Sequence, residues 1–122
     1  MEDKNFHSEL KELMNKFAHG TYDYTKYFPR EEIYGIVSQL RRAGLSVVLN
    51  YIEGHARHRK AVFKNFLEIS YGSLQESKYL IQFSFERKYL NDNQRLELTV
   101  LADRIGAMSW GILRKVGNSR MS

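Results

Sequence analysis

Cysteine is absent from this 122-residue chain. That removes disulfides, thiolate nucleophiles and cysteine-ligated zinc together, and it fits a reducing compartment. Proline occurs once, at Pro29, which makes it the strongest punctuation mark in the sequence. The eight glycines are scattered. No Gly-rich turn followed by Lys comes after a strand, so no phosphate-cradling loop is present. No apolar stretch follows a basic start, which argues against a signal peptide. No run approaches the roughly 20 apolar residues that span a bilayer. Low-complexity segments, internal repeats and linkers are all missing. These absences point to one soluble cytoplasmic domain over residues 1–122, with no membrane partner and no cofactor.

Charge and helical period are what remain. The formal net charge is +5. Residues 1–50 carry 7 Lys/Arg against 7 Asp/Glu, whereas residues 51–122 carry 12 against 7. A positive excess confined to one part of a chain suits an anionic partner such as nucleic acid. Ordinary solubility charge is the bland alternative.

Phe6, Leu10, Leu13, Phe17, Thr21, Tyr24 and Phe28 recur every three or four residues, one stripe of a helix over about 4–26. Pro29 breaks it and can begin a second helix, about 30–54, with Glu31 and Glu32 in its positive first turn. The second stripe is Ile33, Val37, Leu40, Gly44, Val47 and Tyr51. A third helix, about 60–87, follows Val62, Phe63, Phe66, Leu67, Ser70, Leu74, Ser77 and Ile81. Asn91 to Gln94 reads as a capping box. It opens a fourth helix, about 92–116, on Leu96, Val100, Asp103, Ala107, Trp110 and Leu113. Short connections between such helices favour antiparallel neighbours. The predicted fold is all-α, an antiparallel up-down-up-down four-helix bundle.

That topology puts the turn after helix 2 at the same end as both chain termini. The cluster Arg57, His58, Arg59 and Lys60 then meets Arg114, Lys115 and Arg120. Lys64, one turn past Lys60, extends the patch along helix 3.

Helix 2 is greasy nearly all round between Ala43 and Ile52. One face suffices for a bundle core. Leu45, Val48, Leu49 and Ile52 are left over and predict a self-association interface, because a helix that is apolar all round is buried all round. Small residues on helix 3, Ser70, Gly72, Ser73 and Ser77, predict close packing, with Gly44 level with Ser70. Ser46, Asn50 and Glu53 share a helical face and read as a hydrogen-bonded polar layer that sets register.

Catalytic and metal chemistry find little support. Glu53 in a greasy helix can be drawn as a general base, yet the sequence places no nucleophile or second acid beside it. A di-iron bundle needs Glu-x-x-His pairs, and the chain has none. His55 and His58, with Glu53 nearby, lie in a turn whose positive charge repels a cation. Most of the tyrosines that could stack on bases fall on or beside the core stripes. No catalytic residue and no metal ligand is assigned, and the expectation is a protein that is not an enzyme.

One longer pattern stands out. Phe28-Pro29-x-x-Glu32-x-Tyr34-Gly35, then Ser38-Gln39-Leu40-Arg41-Arg42-Ala43, Asn50-x-x-Glu53-Gly54, Arg57, Phe63, Phe66-Leu67 and Gly72-Ser73-Leu74-x-Glu76 resemble the bacterial four-helix-bundle family encoded in intervening sequences of 23S ribosomal RNA genes. The resemblance covers about residues 5–115. His58-Arg59 departs from it, making this turn more basic than the pattern. The resemblance implies homo-oligomers. It also implies kinship with the accessory variability determinant of diversity-generating retroelements, a basic pentameric ring that acts with a reverse transcriptase and template RNA.

Two expectations follow. The first is a homopentameric, basic bundle that binds structured RNA or DNA through Arg57, His58, Arg59, Lys60, Lys64, Arg114, Lys115 and Arg120. The second is an adaptor that docks on a reverse transcriptase and helps it engage its template.

Overall fold

The computed structural model describes residues 4–118. Four helices account for most of them: α1 (Lys4–Thr25), α2 (Ile36–His55), α3 (Lys60–Glu86) and α4 (Asp92–Asn118). α1 packs on α2 and α4, and α3 packs on the same two. α1 and α3 are therefore diagonal, as are α2 and α4. The result is the antiparallel four-helix bundle that the periodicity predicts, with no strand among the described residues.

The core follows most of the α1, α2 and α3 stripes. Leu10, Phe17, Leu40, Val47, Leu67 and Leu74 have no exposed surface, and Tyr51 and Ile81 have almost none. α4 is different. Its buried face is Leu98, Ala102, Ile105, Ser109, Ile112 and Val116. Most of the predicted stripe faces out instead: Leu96 is 54% exposed, Val100 56% and Trp110 53%, while Leu113 packs partly against the core. Both stripes have helical spacing, and close approach to α1 and α3 selects the one with small residues. A Cβ on Gly106 would lie 3.4 Å from Leu74 Cδ2.

The start of α2 also differs from expectation. After Pro29 come one 3-10 turn, Arg30–Glu32, and then a bend to Gly35, so α2 begins at Ile36. Glu32 explains the delay. Its carboxylate accepts from the Tyr89 hydroxyl at 2.9 Å and from the Ile36 amide at 3.4 Å. It thereby ties this bend to the α3–α4 turn and serves one of the unpaired amides of the α2 N-terminus. Ile33, placed in the second stripe, is 53% exposed as a consequence.

Helix ends elsewhere are closed by side chains. The Arg41 guanidinium donates from Nε to Thr25 Oγ1 at 2.8 Å and from Nη2 to the Tyr22 carbonyl at 3.2 Å. It lies over the Tyr22 ring and closes the last turn of α1. Tyr24 on α1 donates to Glu97 on α4 at 2.6 Å. Its phenol is pushed up to about 12, first by that hydrogen bond to the carboxylate. Before α4, the Gln94 amide donates to Asn91 Oδ1 at 2.8 Å and the Asn91 amide to Gln94 Oε1 at 2.9 Å, the reciprocal box read in the sequence. Replacing Asn91 by Ala is expected to cost about 1 kcal/mol. Urea unfolding followed by circular dichroism checks it.

Small residues bring helices together at specific points. The Ser70 hydroxyl donates to the Val47 carbonyl at 2.7 Å, joining α3 to α2. A Cβ on Gly54 would lie 2.7 Å from Phe66 Cβ. Gly44 instead approaches α1, where its Cβ would meet Thr21 at 3.0 Å, and it is not paired with Ser70. Gly72 has open space around it and lies outside the interface.

Candidate functional site

The bundle end formed by the α2–α3 turn is built from four elements. α2 terminates without a Gly or Pro after it. Ala56 closes the helix by donating its amide to the Ile52 carbonyl at 3.1 Å. The next residues, Arg57 to Arg59, form the turn, and α3 starts at Lys60. Gly54 is buried under Phe63 and Phe66, which anchors the turn at its base. The charged side chains of the turn stand out from this anchor, all exposed.

Together they rim a pocket of about 110 Å³. α1 contributes His7, and α2 contributes His55. The turn and the first residue of α3 contribute Arg57, His58, Arg59 and Lys60. Its apolar wall is Phe63 of α3 with Ile112 and Val116 of α4, and Lys115 completes the rim. Among the described residues, no carboxylate lines it.

A ring cluster supports the wall. The His55 ring is stacked on Tyr51, with centroids 5.7 Å apart, and lies 4.4 Å from His7 and 6.1 Å from Phe63. Burial pushes the Tyr51 phenol far up, and its hydroxyl is hydrogen-bonded to His7 Nδ1. That bond joins α1 to α2 directly beside the pocket.

Of the predicted binding residues, the structure brings Arg57, His58, Arg59, Lys60 and Lys115 into one pocket from distant parts of the sequence. Lys64 and Arg114 lie outside it. Arg120 lies outside the described residues. Arg57 is compensated: its Nη2 meets Glu53 Oε2 at 2.5 Å, and its guanidinium lies 5.4 Å from the Phe66 ring centroid. His7 and the apolar wall were not singled out by the sequence as site residues. The topology that joins the α2–α3 turn to the chain ends was the signal available for them.

The predicted polar layer is half present. Asn50 Nδ2 donates to the Ser46 carbonyl and hydroxyl, both at 2.9 Å, and Ser46 Oγ bonds Ser73 Oγ at 2.7 Å. These residues tie α2 to α3. Glu53 does not take part. It is exposed, and Arg57, one turn on, holds its carboxylate. A buried general base is therefore absent at this position.

The predicted interface also needs correction. Leu45, Leu49 and Ile52 are exposed at 38%, 53% and 45%, as expected of a free face. Val48 is only 6% exposed. It points toward α1, beside Ser8, Lys11, Glu12 and Asn15. α2 touches helices on two sides, so its buried arc is wider than a single stripe.

Among the described residues, no group of three His, Asp or Glu side chains is placed to hold a metal ion. No described helix is long and apolar enough to cross a membrane.

Comparison with known proteins places this architecture. No curated protein matches the chain. A crystal structure of a protein of unknown function from the S23 ribosomal protein family of Bacteroides thetaiotaomicron VPI-5482 superposes with a TM-score of 0.82 at 20% identity. It covers 89% of this chain and 98% of the other. At that identity the likeness speaks for the fold. The family model of the 23S rRNA-intervening sequence protein matches residues 7–111. With nearly the whole bundle inside that match, the chain belongs to the 23S rRNA-intervening sequence protein family.

Proposed function

We propose that this protein is a non-enzymatic, self-associating bundle that binds structured RNA or DNA through its basic end. The observation that carries the reading is the convergence of the 57–60 turn with Lys115 of α4 around a rim that, among the described residues, is lined by cations and by no carboxylate. A surface of this kind contacts phosphates, and phosphate contacts give affinity with little sequence selectivity.

Self-association is supported by two exposed apolar faces. One is Leu45, Leu49 and Ile52 on α2; the other is Leu96, Val100 and Trp110 on α4. The two faces are on different helices, α2 and α4, which are diagonal in the bundle. Two different faces suit a heterologous contact, which closes into a ring when the rotation allows. A homopentamer is the ring we favour, and repetition around it multiplies weak phosphate contacts.

Filter binding of a short structured RNA across a salt series tests the anion contact. With about four phosphate contacts per subunit, log K should fall against log salt with a slope of about −3.6 or steeper. A flat response between low and physiological salt overturns the reading. Leu49→Glu is expected to release the monomer at micromolar concentration while leaving the helix content unchanged. Sedimentation velocity reads it, and a wild-type monomer removes self-association from the proposal.

The exposed α4 stripe also favours a second reading, an adaptor docked on a reverse transcriptase. Capture that survives nuclease treatment and is lost in Trp110→Glu supports it. Capture that depends on nucleic acid counts against direct docking.

A further inference from the structure

The pocket at the basic end has an apolar wall that phosphate binding alone does not require. Lys and Arg on an open surface would serve a backbone equally well. Here the cations form a rim, and the wall beneath them is carbon: Phe63, Ile112 and Val116, each less than 10% exposed. The His55 ring stands at the edge, held by its stack on Tyr51. At about 110 Å³, the pocket has room on the order of four waters at the roughly 30 Å³ each takes in the liquid, a space for one small planar group.

We propose that this pocket takes one unpaired nucleotide of the bound strand, with its base against His55 and Phe63 and its phosphate among Arg59, Lys60 and Lys115. An apolar wall alone would take many flat molecules. The rim decides the class, because among the described residues cations from the turn, α3 and α4 surround the opening and no carboxylate does. The first turn of α3 also lacks acidic residues, and its N-cap residue, Arg59, makes no side-chain cap. Its free amides add to the preference for a phosphate at the mouth. A base in a duplex cannot reach such a wall, whereas a splayed base in a loop or an overhang stacks readily on aromatic rings. The bundle end therefore distinguishes strand ends and loops from continuous duplex. The inference rests on the nucleic-acid reading above and narrows it.

The test compares a blunt RNA duplex with the same duplex carrying a three-uridine overhang, using the whole chain. Wild type is expected to bind the tailed duplex about tenfold more tightly. His55→Ala should remove that preference, so that tailed and blunt duplex bind alike, and unchanged circular dichroism establishes that the variant folds. A second measurement needs no variant: uridine monophosphate added to wild type should shift the NMR signals of His55, His58 and Phe63. Uridine and inorganic phosphate should each act at least tenfold more weakly. Equal binding of tailed and blunt duplex, with no response to the mononucleotide, overturns the pocket proposal and leaves the phosphate reading standing. Mononucleotide binding without duplex binding upholds the pocket and overturns the broader reading. Binding of neither overturns both.

Discussion

Replacing Arg59, Lys60 and Lys115 together by glutamate is expected to lower affinity for structured RNA at physiological salt by about two orders of magnitude or more. Each of these side chains is exposed and lines the rim. Loss of about three phosphate contacts removes a comparable number of released counterions, and the reversed charges repel what the cations attracted. Arg57 is left out of the variant because Glu53 already compensates it; reversing it would free one charge while creating another. The change should not unfold the protein. Lys60 opens α3, where a carboxylate is favoured by the helix dipole by some tenths of a kcal/mol. A melting temperature within a few degrees of wild type, together with lost binding, is the predicted pair of results. Retained binding would move the anion contact away from this end of the bundle.

Gly54→Ala should lower stability, against the intrinsic preference of the residue. Ala is better than Gly in a helix interior by about 1 kcal/mol, and Gly54 lies within α2. Packing outweighs this. The new Cβ would lie 2.7 Å from Phe66 Cβ, 3.2 Å from Phe63 Cδ1 and 3.3 Å from the Phe63 carbonyl oxygen. A Cβ and a carbonyl cannot rotate away, so α2 and α3 must separate toward the roughly 3.5–4 Å of an ordinary carbon contact. Overpacking of this kind costs about 1–3 kcal/mol beyond the propensity gain, a fall of several degrees in melting temperature. Gly72→Ala is the matched comparison. Its Cβ meets nothing within 4 Å, so it should gain up to about 1 kcal/mol. Opposite signs at two helical glycines, read by calorimetry, would confirm that α2 and α3 touch at Gly54. Stabilisation by both would exclude that contact.

These contrasts show what the sequence could carry. Stripes on α1, α2 and α3 were legible where one face alone was apolar. On α4 two faces have helical spacing, and the larger side chains are on the face of Leu96, Val100 and Trp110. Burial went to Ala102 and Ser109, because helix separation is a property of the assembled bundle and leaves no trace in period. Val48 was misplaced for a related reason: a helix touched on two sides buries a wide arc. Glu53 looked buried because its neighbours are greasy, but Arg57 lies one turn on and draws it outward. The meeting of the 57–60 turn with Lys115 was readable from topology alone. The carbon wall beneath it was not, since Phe63 reaches it from α3 and Ile112 and Val116 from α4.

Glu32, Arg41 and Gly54, all part of the recognisable sequence pattern, act here on architecture: one joins two turns, one closes α1, one lets α2 and α3 touch. The up-down course of the chain has a practical corollary. The start of α1, the end of α4 and the charged turn share one end, while the 29–35 bend and the α3–α4 turn occupy the other, joined by the Tyr89–Glu32 bond. A fluorophore or affinity tag fused to either terminus would crowd the charged surface and blunt any binding assay. A label placed at exposed Lys88, at the far end, would report on the molecule from roughly 40 Å away, the length of a 27-residue helix.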